Sequence, residues 1–259
     1  MARRRLVLVV VIALGASVLG GVVAFATQGP PPVPLGDPGT WQLAFDDEFN
    51  GSSLDTSLWS VGWFGRGITG PLTPTALECF DPARVRQQNG QLDLSFRVRP
   101  ETCGGKRRPY TGAIATTNGK FSFTYGFVEM SAKLPGAGGA IYDWPDFWTD
   151  GQNWPTDGED DIVEGLSGQA CWHFHSPGQA PGGCDSTPLS GGWHTFGADW
   201  EPGSVTYYYD GVAVGTISTG VTGAPMYLIL SIGGNRQIGG PIHRATLRVA
   251  YVRVWQHPS

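Results

Sequence analysis

The sequence lacks the features that mark several common protein classes. Only four of its 259 residues are cysteines, and no two of them form a Cys-x-x-Cys pair, which disfavours a cysteine-ligated metal site. Charged residues make up 15% of the chain, and acids outnumber lysines and arginines by 22 to 17, which argues against nucleic acid or an anionic membrane surface as a partner. There is no internal repeat and, beyond the N-terminal segment, no long stretch with a helical period, so solenoids and helical bundles are disfavoured.

The N-terminal segment, residues 1–26, has the pattern of an export signal. Three arginines lie within the first five residues, and Leu6–Ala26 is free of charge. Ala24-Phe25-Ala26 fits a cleavage site, but 21 apolar residues can also span a bilayer as an uncleaved anchor with the arginines inside. In either case we expect a secreted or extracytoplasmic protein that contacts the membrane only through this segment, if at all. Cleavage would change the net charge from −5 to −8, since three arginines and no acids leave.

The remaining chain divides into a spacer and one domain. Residues 27–40 are rich in proline and glycine and predict an extended linker. Residues 41–259 alternate short runs of strand-forming residues with turn signals, such as Tyr207–Tyr209 followed by Asp210-Gly211. This pattern predicts an all-β fold, a two-sheet antiparallel sandwich of the jelly-roll type, with a barrel as the alternative.

The four cysteines predict two disulfides, because the count is even and the chain is expected to be exported. Three pairings are possible. Pairing of neighbours, Cys79 with Cys103 and Cys171 with Cys184, is favoured because each bond would close a loop that carries glycine or proline.

The most unusual stretch places five acids within eight positions, from Asp157 to Glu164. A solvated acidic loop or a calcium loop is one interpretation, but the β-branched pair Ile162-Val163 favours a strand. On a strand Glu159 and Asp161 share a face, and Glu164 is out of phase with them by one residue. A single-residue bulge within Ile162-Val163 would bring Glu164 onto the same face.

Aligned in this way, the acids suit glycoside hydrolysis. Two glutamates whose carboxyl groups approach to about 5–5.5 Å can act as nucleophile and acid/base in a retaining reaction. Asp161 between them would hydrogen-bond Glu159 and tune a shared proton, because neighbouring carboxylates cannot all be ionised.

This stretch resembles the active-site motif of glycoside hydrolase family 16, the laminarinase-like and agarase-like retaining enzymes. Their pattern is Glu-x-Asp-x-x-Glu, commonly after Trp-Pro and Gly, and Trp154-Pro155 and Gly158 stand in those places. The resemblance covers most of residues 41–256, and further matching segments are Phe45–Gly51, Tyr125–Glu129, Trp144–Trp148, Trp193–Phe196 and Tyr251–Trp255.

The resemblance implies a concanavalin-like jelly roll with the motif strand in a concave cleft. It makes Glu159 the nucleophile, Asp161 the assisting acid and Glu164 the acid/base. Residues implied to contact substrate are Trp144, Trp148, Trp154, Trp172, His173, His175 and Glu78. For any one tryptophan the alternative is core packing, and for the two histidines it is a structural role or a zinc site shared with nearby carboxylates.

Departures from the family pattern concern partners and substrate more than mechanism. Asp160 stands where an apolar residue is usual, so a buried charge there needs a partner. Glu78 replaces a common Gln and Ser231 a common Asn. Ala250 replaces a common Asp of a structural calcium site, so calcium is expected to be absent or loosely bound, and no cofactor is required.

The sequence therefore predicts a retaining endo-hydrolase of a β-linked polysaccharide, with β-1,3-glucan as the favoured substrate and a monomer as the favoured state. The alternatives are a galactan hydrolase, a cell-wall transglycosylase of the same family, or a non-catalytic carbohydrate-binding module.

Overall fold

The structure is a computed structural model that describes residues 32–65 and 67–258. The predicted signal or anchor at residues 1–26, and residues 27–31 of the predicted linker, lie outside the described residues. Within the described part no helix is long and apolar enough to cross a membrane.

Short strands make up nearly all of the regular structure. In the first half of the chain they are β1 (Gln42–Asp47), β2 (Ser60–Val61), β3 (Glu78–Phe80), β4 (Val85–Gln88), β5 (Gln91–Phe96), β6 (Glu101–Cys103), β7 (Lys106–Arg108), β8 (Tyr110–Thr116), β9 (Gly126–Lys133) and β10 (Gly136–Ala137). The second half contains β11 (Ala140–Ile141), β12 (Trp144–Asp150), β13 (Glu159–Leu166), β14 (Gln169–His175), β15 (Gly182–Asp185), β16 (His194–Glu201), β17 (Ser204–Tyr209), β18 (Val212–Ile217), β19 (Tyr227–Gly233) and β20 (Ala245–Gln256). A single 3-10 turn at Pro82–Arg84 is capped by Asp81, whose carboxylate accepts from the Ala83 amide.

Two large sheets form the predicted sandwich. The first sheet has the order β18-β17-β16-β9-β20-β5-β4, with β1 also paired to β20. The second has the order β15-β14-β13-β12-β19-β8-β2, with β3 paired in parallel to β8. Apart from that pair the strands are antiparallel, and many neighbours are distant in sequence, as β20 is from β5. The all-β jelly-roll prediction is confirmed.

The core lies between the sheets and follows from strand alternation. In β5 the side chains of Leu92, Leu94 and Phe96 are fully buried, while the intervening polar residues face outward. The same cluster buries Trp59 and Trp200. Each such side chain contributes on the order of 1.5–3 kcal/mol through removal of apolar surface from water.

The described part of the proline-rich segment lies against the domain. The Leu35 amide donates to Glu129 at 3.0 Å, and the indole of Trp255 donates to the Pro32 carbonyl at 2.8 Å. Residues 32–40, which the sequence assigned to a spacer, thus contact the domain.

Both predicted disulfides are present. Cys79 on β3 bonds Cys103 at the end of β6, and Cys171 bonds Cys184 across the neighbouring strands β14 and β15. Each bond therefore ties together segments close in sequence, as the neighbour pairing predicted.

Asp160 is a buried acid in the sandwich interior, and the structure supplies the partner that the sequence could not name. The side chain is 2% exposed, and the hydroxyl of Tyr207 on β17 donates to its carboxylate at 2.6 Å. Burial raises the pKa of Asp160 to about 7, although this hydrogen bond opposes the shift. Asp160 is therefore a weaker acid in the folded protein than in the unfolded chain.

We expect this group to make stability depend on pH. Because the folded chain holds the Asp160 proton more tightly than the unfolded chain does, the stability it provides is complete below about pH 4 and is lost as the pH rises to about 7. Asp160→Asn should therefore flatten the dependence of the unfolding free energy on pH between about 4 and 7, measured by urea denaturation. Tyr207→Phe, which leaves the carboxylate without its donor, should cost about 1–3 kcal/mol and cost more at pH 8 than at pH 5. An Asp160→Asn variant with the wild-type pH slope would contradict this account.

Candidate active site

A cleft of about 610 Å³ opens on the outward face of the second sheet. Its floor is formed by alternate residues of three adjacent strands. Trp144, Asp146, Trp148 and Asp150 come from β12, Glu159, Asp161 and Glu164 from β13, and His173 and His175 from β14. The rim is formed by Trp63, Phe64, Leu72, Thr73, Trp154, Ala180 and Ile238, among others.

The predicted bulge in β13 is present and brings the three acids onto one face. Against β12, Asp161 pairs with Trp148 but Val163 pairs with the preceding residue, Phe147, so Ile162 is the extra residue. The register against β14 shifts at the same place. Ile162 and Val163 both belong to the interior cluster, so two successive side chains point inward. Glu164 is consequently on the same face as Glu159 and Asp161.

A tyrosine from the opposite sheet holds this bulge. The hydroxyl of Tyr209 on β17 lies 3.1 Å from the Ile162 carbonyl and 3.2 Å from the Cys171 carbonyl, so it can donate to either. A bulged residue loses its place in the strand ladder, and its carbonyl needs another donor when it is buried. Tyr209 provides that donor.

Glycine immediately before Glu159 is required by space and by backbone conformation. Gly158 has φ of +94°, and an added Cβ would lie 2.3 Å from the hydroxyl oxygen of Thr222. A side chain at this position would therefore displace the start of the motif strand.

Glu164 is fixed by two partners. The indole of Trp144 donates to one carboxylate oxygen at 3.1 Å, and Nδ1 of His173 lies 2.7 Å from the other. The residue is 6% exposed and lies on the cleft surface. Two of the residues predicted to bind substrate thus position a carboxylate.

Glu159 and Asp161 form a close pair with His175. One ligand atom from each of the three lies within 4.8 Å of the other two, and His175 Nε2 is 3.0 Å from Asp161 and 3.8 Å from Glu159. Burial, and next the charge of Asp161, raise the pKa of Glu159, while burial and the charge of Glu164 raise the pKa of Asp161 well above its usual range. A charge is disfavoured more strongly on Asp161 than on Glu159, because the side chain of Asp161 is 4% exposed against 19% for Glu159.

Two further acids in the cleft were not predicted from the sequence. Asp146 is 6% exposed and stands opposite Glu164 in the strand pairing, and its Oδ1 is buried without a hydrogen bond. Burial and the charges of Asp161 and Glu164 raise its pKa well above the usual value. Asp150 stands opposite Glu159, accepts from the Tyr227 hydroxyl at 3.0 Å, and has a pKa raised by burial to about 6.

The aromatic residues predicted to contact sugar fall into different environments. Trp154 is 59% exposed at the rim, whereas Trp148 is 5% exposed because Trp63 stacks on it with ring centroids 5.8 Å apart. Trp63 and the 64% exposed Phe64 therefore present the aromatic surface on that side. They lie in a loop without a strand pattern, so no local signal in the sequence predicted their position in the cleft.

Trp172 was expected beside the cleft, and this expectation is wrong. Its side chain alternates with His173 on β14 and therefore points into the sandwich, where it is 8% exposed and lies near Tyr207 and Tyr209.

Glu78 was also expected near substrate, and the structure places it outside the cleft lining. It is 1% exposed, and its carboxylate accepts from the Gly234 amide at 2.8 Å and the Leu77 amide at 3.1 Å. Burial raises its pKa to about 7. Its role is to anchor the chain after β19.

The charge of the cleft is one-sided. Five acids and two histidines line it, and among the described lining residues there is no lysine or arginine. Two overlapping sets, Glu159-Asp161-His175 and Asp161-Glu164-His173, bring ligand atoms close enough to hold a divalent cation such as zinc. Such an ion would occupy the carboxylates that the sequence assigns to catalysis.

Comparison with known proteins agrees with this geometry. The profile of "Glycosyl hydrolases family 16" matches residues 78–233. A glucan endo-1,3-beta-glucosidase of Cryptopygus antarcticus is 32% identical over 84% of this chain and 93% of its own length. A keratan-sulfate endo-1,4-beta-galactosidase of Sphingobacterium multivorum is 29% identical over 84% of this chain, which spans 56% of that longer protein. The laminarinase catalytic domain of Thermotoga maritima superposes with a TM-score of 0.74 at 26% identity, over 85% of this chain and all of that one.

The fold, the motif strand with its bulge and these similarities lead to one assignment. The chain belongs to glycosyl hydrolases family 16 and is a glycosidase.

Proposed function

We propose that the protein is a retaining endo-hydrolase of a neutral β-linked polysaccharide, with β-1,3-glucan as its substrate. The observation that carries this proposal is the alignment of Glu159, Asp161 and Glu164 on one face of a bulged strand, with His175 beside the first two and Trp144 and His173 on the third. A module that only binds sugar has no need of three buried or half-buried acids at this spacing.

The environments of the two glutamates suggest their roles. Glu159 is the more exposed, and the protonated Asp161 beside it can donate a hydrogen bond that stabilises its carboxylate, as a nucleophile requires. Glu164 is held in one orientation by Trp144 and His173, as a group that must hand a proton to a leaving oxygen requires.

The reaction then proceeds in two displacements. Glu159 attacks the anomeric carbon while Glu164 gives its proton to the glycosidic oxygen, the C–O bond breaks, and a glycosyl ester forms on Glu159. Glu164, now a carboxylate, removes a proton from water, which attacks the anomeric carbon and releases Glu159. The product keeps the β configuration because two inversions have occurred.

The charge of the cleft favours a neutral substrate. Sulfate or carboxylate groups on a glycan would meet five acids without a described lysine or arginine to pair with them. The relatives named as a 1,3-glucanase and a laminarinase support β-1,3-glucan as the substrate. The charge argument disfavours keratan sulfate, which is named for the galactosidase relative.

We also propose that the protein acts outside the cytoplasm. Residues 1–26 carry the export pattern, and two disulfides are formed in the described domain. Mass spectrometry of the N-terminus of the exported protein would distinguish cleavage after Ala26 from an uncleaved anchor.

Replacing either glutamate should abolish most of the activity. Glu164→Gln should lower kcat on laminarin by about 10²–10⁴-fold, and Glu159→Gln by at least as much, since no ester can form. Asp160→Asn is the matched control because it lies on the same strand but faces the interior, and it should keep kcat within about threefold. Reducing-end assays measure all three. Activity in Glu159→Gln equal to the wild type would remove the proposed nucleophile.

Retention has a separate test. NMR of the first products of the wild type should show the β anomer, and Glu159→Gly in azide should yield an α-glycosyl azide. An α anomer formed first by the wild type would exclude the double displacement.

Asp161 should tolerate a neutral donor but not an apolar residue. If Asp161 carries the shared proton, Asp161→Asn keeps a donor beside Glu159 and should retain kcat within about tenfold. Asp161→Leu removes the donor and should lose a further 10- to 100-fold, about the value of a hydrogen bond to a charged group. Equal losses in the two variants would show that the charge of Asp161, rather than its proton, is used.

Sulfation of the substrate should lower kcat/KM. We expect kcat/KM on sulfated laminarin to fall at least about tenfold below that on laminarin, with the gap narrowing as salt rises, because the repulsion is screened. Agarose and lichenan complete the panel. Preference for the sulfated polymer would overturn the charge argument, and preference for agarose would point to a galactan.

A further inference from the structure

A cluster of arginines lies on the sandwich face opposite the cleft. The outward faces of β4, β5 and β20, with the turn before β4, form a depression of about 350 Å³. Its lining contains Arg84, Arg86, Arg97 and Arg248, against one acid, Asp93. These residues alternate with buried core residues such as Leu94 and Leu247, so they point away from the cleft.

The acids near this cluster do not neutralise it. Arg84 contacts Asp81 at 3.4 Å, and Arg248 approaches Asp93 only to 3.9 Å. Both oxygens of Asp93 already accept from the amides of Gln88 and Gln91. Among the described residues, no carboxylate lies within 4.0 Å of Arg86 or Arg97.

Arg97 is built into the wall of the depression. Its guanidinium donates to the Phe96 and Ala245 carbonyls at 2.8 and 2.6 Å, and to the hydroxyls of Ser95 and Thr246 at 3.1 and 3.0 Å. Burial, and next the charges of Arg84 and Arg244, lower the pKa of Arg97. A fixed cation is thus held among like charges, and no described carboxylate lies within 4.0 Å of it.

Two of the other arginines, Arg86 and Arg248, are accessible for direct binding. Arg86 is exposed, and the Arg248 side chain is 43% exposed. Arg86 on β4 and Arg248 on β20 stand opposite Asp93 of the intervening strand β5, one on each side. Each guanidinium group in this arrangement can bind an oxyanion through two parallel N–H hydrogen bonds. In a chain of net charge −5, gathering cations here is costly unless an anion offsets their repulsion.

We propose that this arginine cluster binds the oxyanion groups of an anionic polymer, phosphate or carboxylate in kind, on the face opposite the cleft. Arg97 supplies fixed positive potential, and Arg86 and Arg248 supply the hydrogen bonds. A polymer held there leaves the cleft open, so the protein can be retained on an acidic matrix while it hydrolyses a neutral glycan.

Calorimetric titration of the full protein with polyphosphate and with polygalacturonate tests this site, with dextran as a neutral control. We expect binding of at least one anionic polymer, weakening as salt rises. The double variant Arg86→Gln/Arg248→Gln should weaken it about tenfold or more, and Arg86→Lys/Arg248→Lys should weaken it less. Which polymer binds identifies the oxyanion as phosphate or carboxylate.

The matched control is Lys106→Gln/Arg107→Gln, which makes the same change in net charge at the exposed β6–β7 hairpin. It should stay within about twofold of the wild type. Absence of binding at low salt, or equal weakening by the two glutamine double variants, would refute the site. Thermal unfolding of each variant confirms that it is folded, and because the readout is binding, the result does not depend on the proposed hydrolysis.

Discussion

The extra residue in β13 is the constraint on which the proposed chemistry depends. Without it Glu164 would point into the sandwich with Ile162, and no second glutamate would face Glu159 in the cleft. A bulge leaves a carbonyl without its partner in the strand ladder, and the Tyr209 hydroxyl from the opposite sheet can donate to this buried one. Tyr207, two residues earlier on the same strand, binds Asp160 beside the bulge. The acids therefore lie on the second sheet, and two tyrosine hydroxyls from the first sheet hydrogen-bond to the part of the strand that orients them.

Gathering acids in the cleft costs electrostatic free energy, and the raised pKa values of several of them reduce this cost. Five carboxylates with full charge on one small surface would repel one another strongly. Burial raises the pKa values of Asp146, Asp161 and Glu159, which favours their neutral form and reduces the repulsion. Trp144 donates to Glu164, and the two histidines lie within 3.0 Å of the carboxylates of Glu164 and Asp161. The proposed retaining reaction needs an uneven state, with one carboxylate charged and another protonated.

The sequence predicted what depends on local pattern and failed where partners come from far along the chain. Strand alternation and the β-branched pair predicted the bulge and the shared face of the acids, and the even count of cysteines with pairing of neighbours predicted both disulfides. The same alternation, applied to β14, would have placed Trp172 in the core beside two cleft-facing histidines, and applied to β12 would have revealed Asp146 and Asp150. By contrast, the partner of Asp160 is 47 residues away, and the stacking of Trp63 on Trp148 joins a loop to a strand, so neither leaves a local signal.

The cleft on one outer face of the sandwich and the arginine cluster on the other carry opposite charge, and this separation follows from the fold. A sheet buried on one side has only its other side on which to place polar residues, so the acids of the second sheet and the arginines of the first are kept apart by the thickness of the core. Pairing them within one face would neutralise both and would remove the charge on which each proposed function depends. The net charge of the chain is therefore a poor guide to its partners, since a molecule that repels anions at its cleft can attract them at its back.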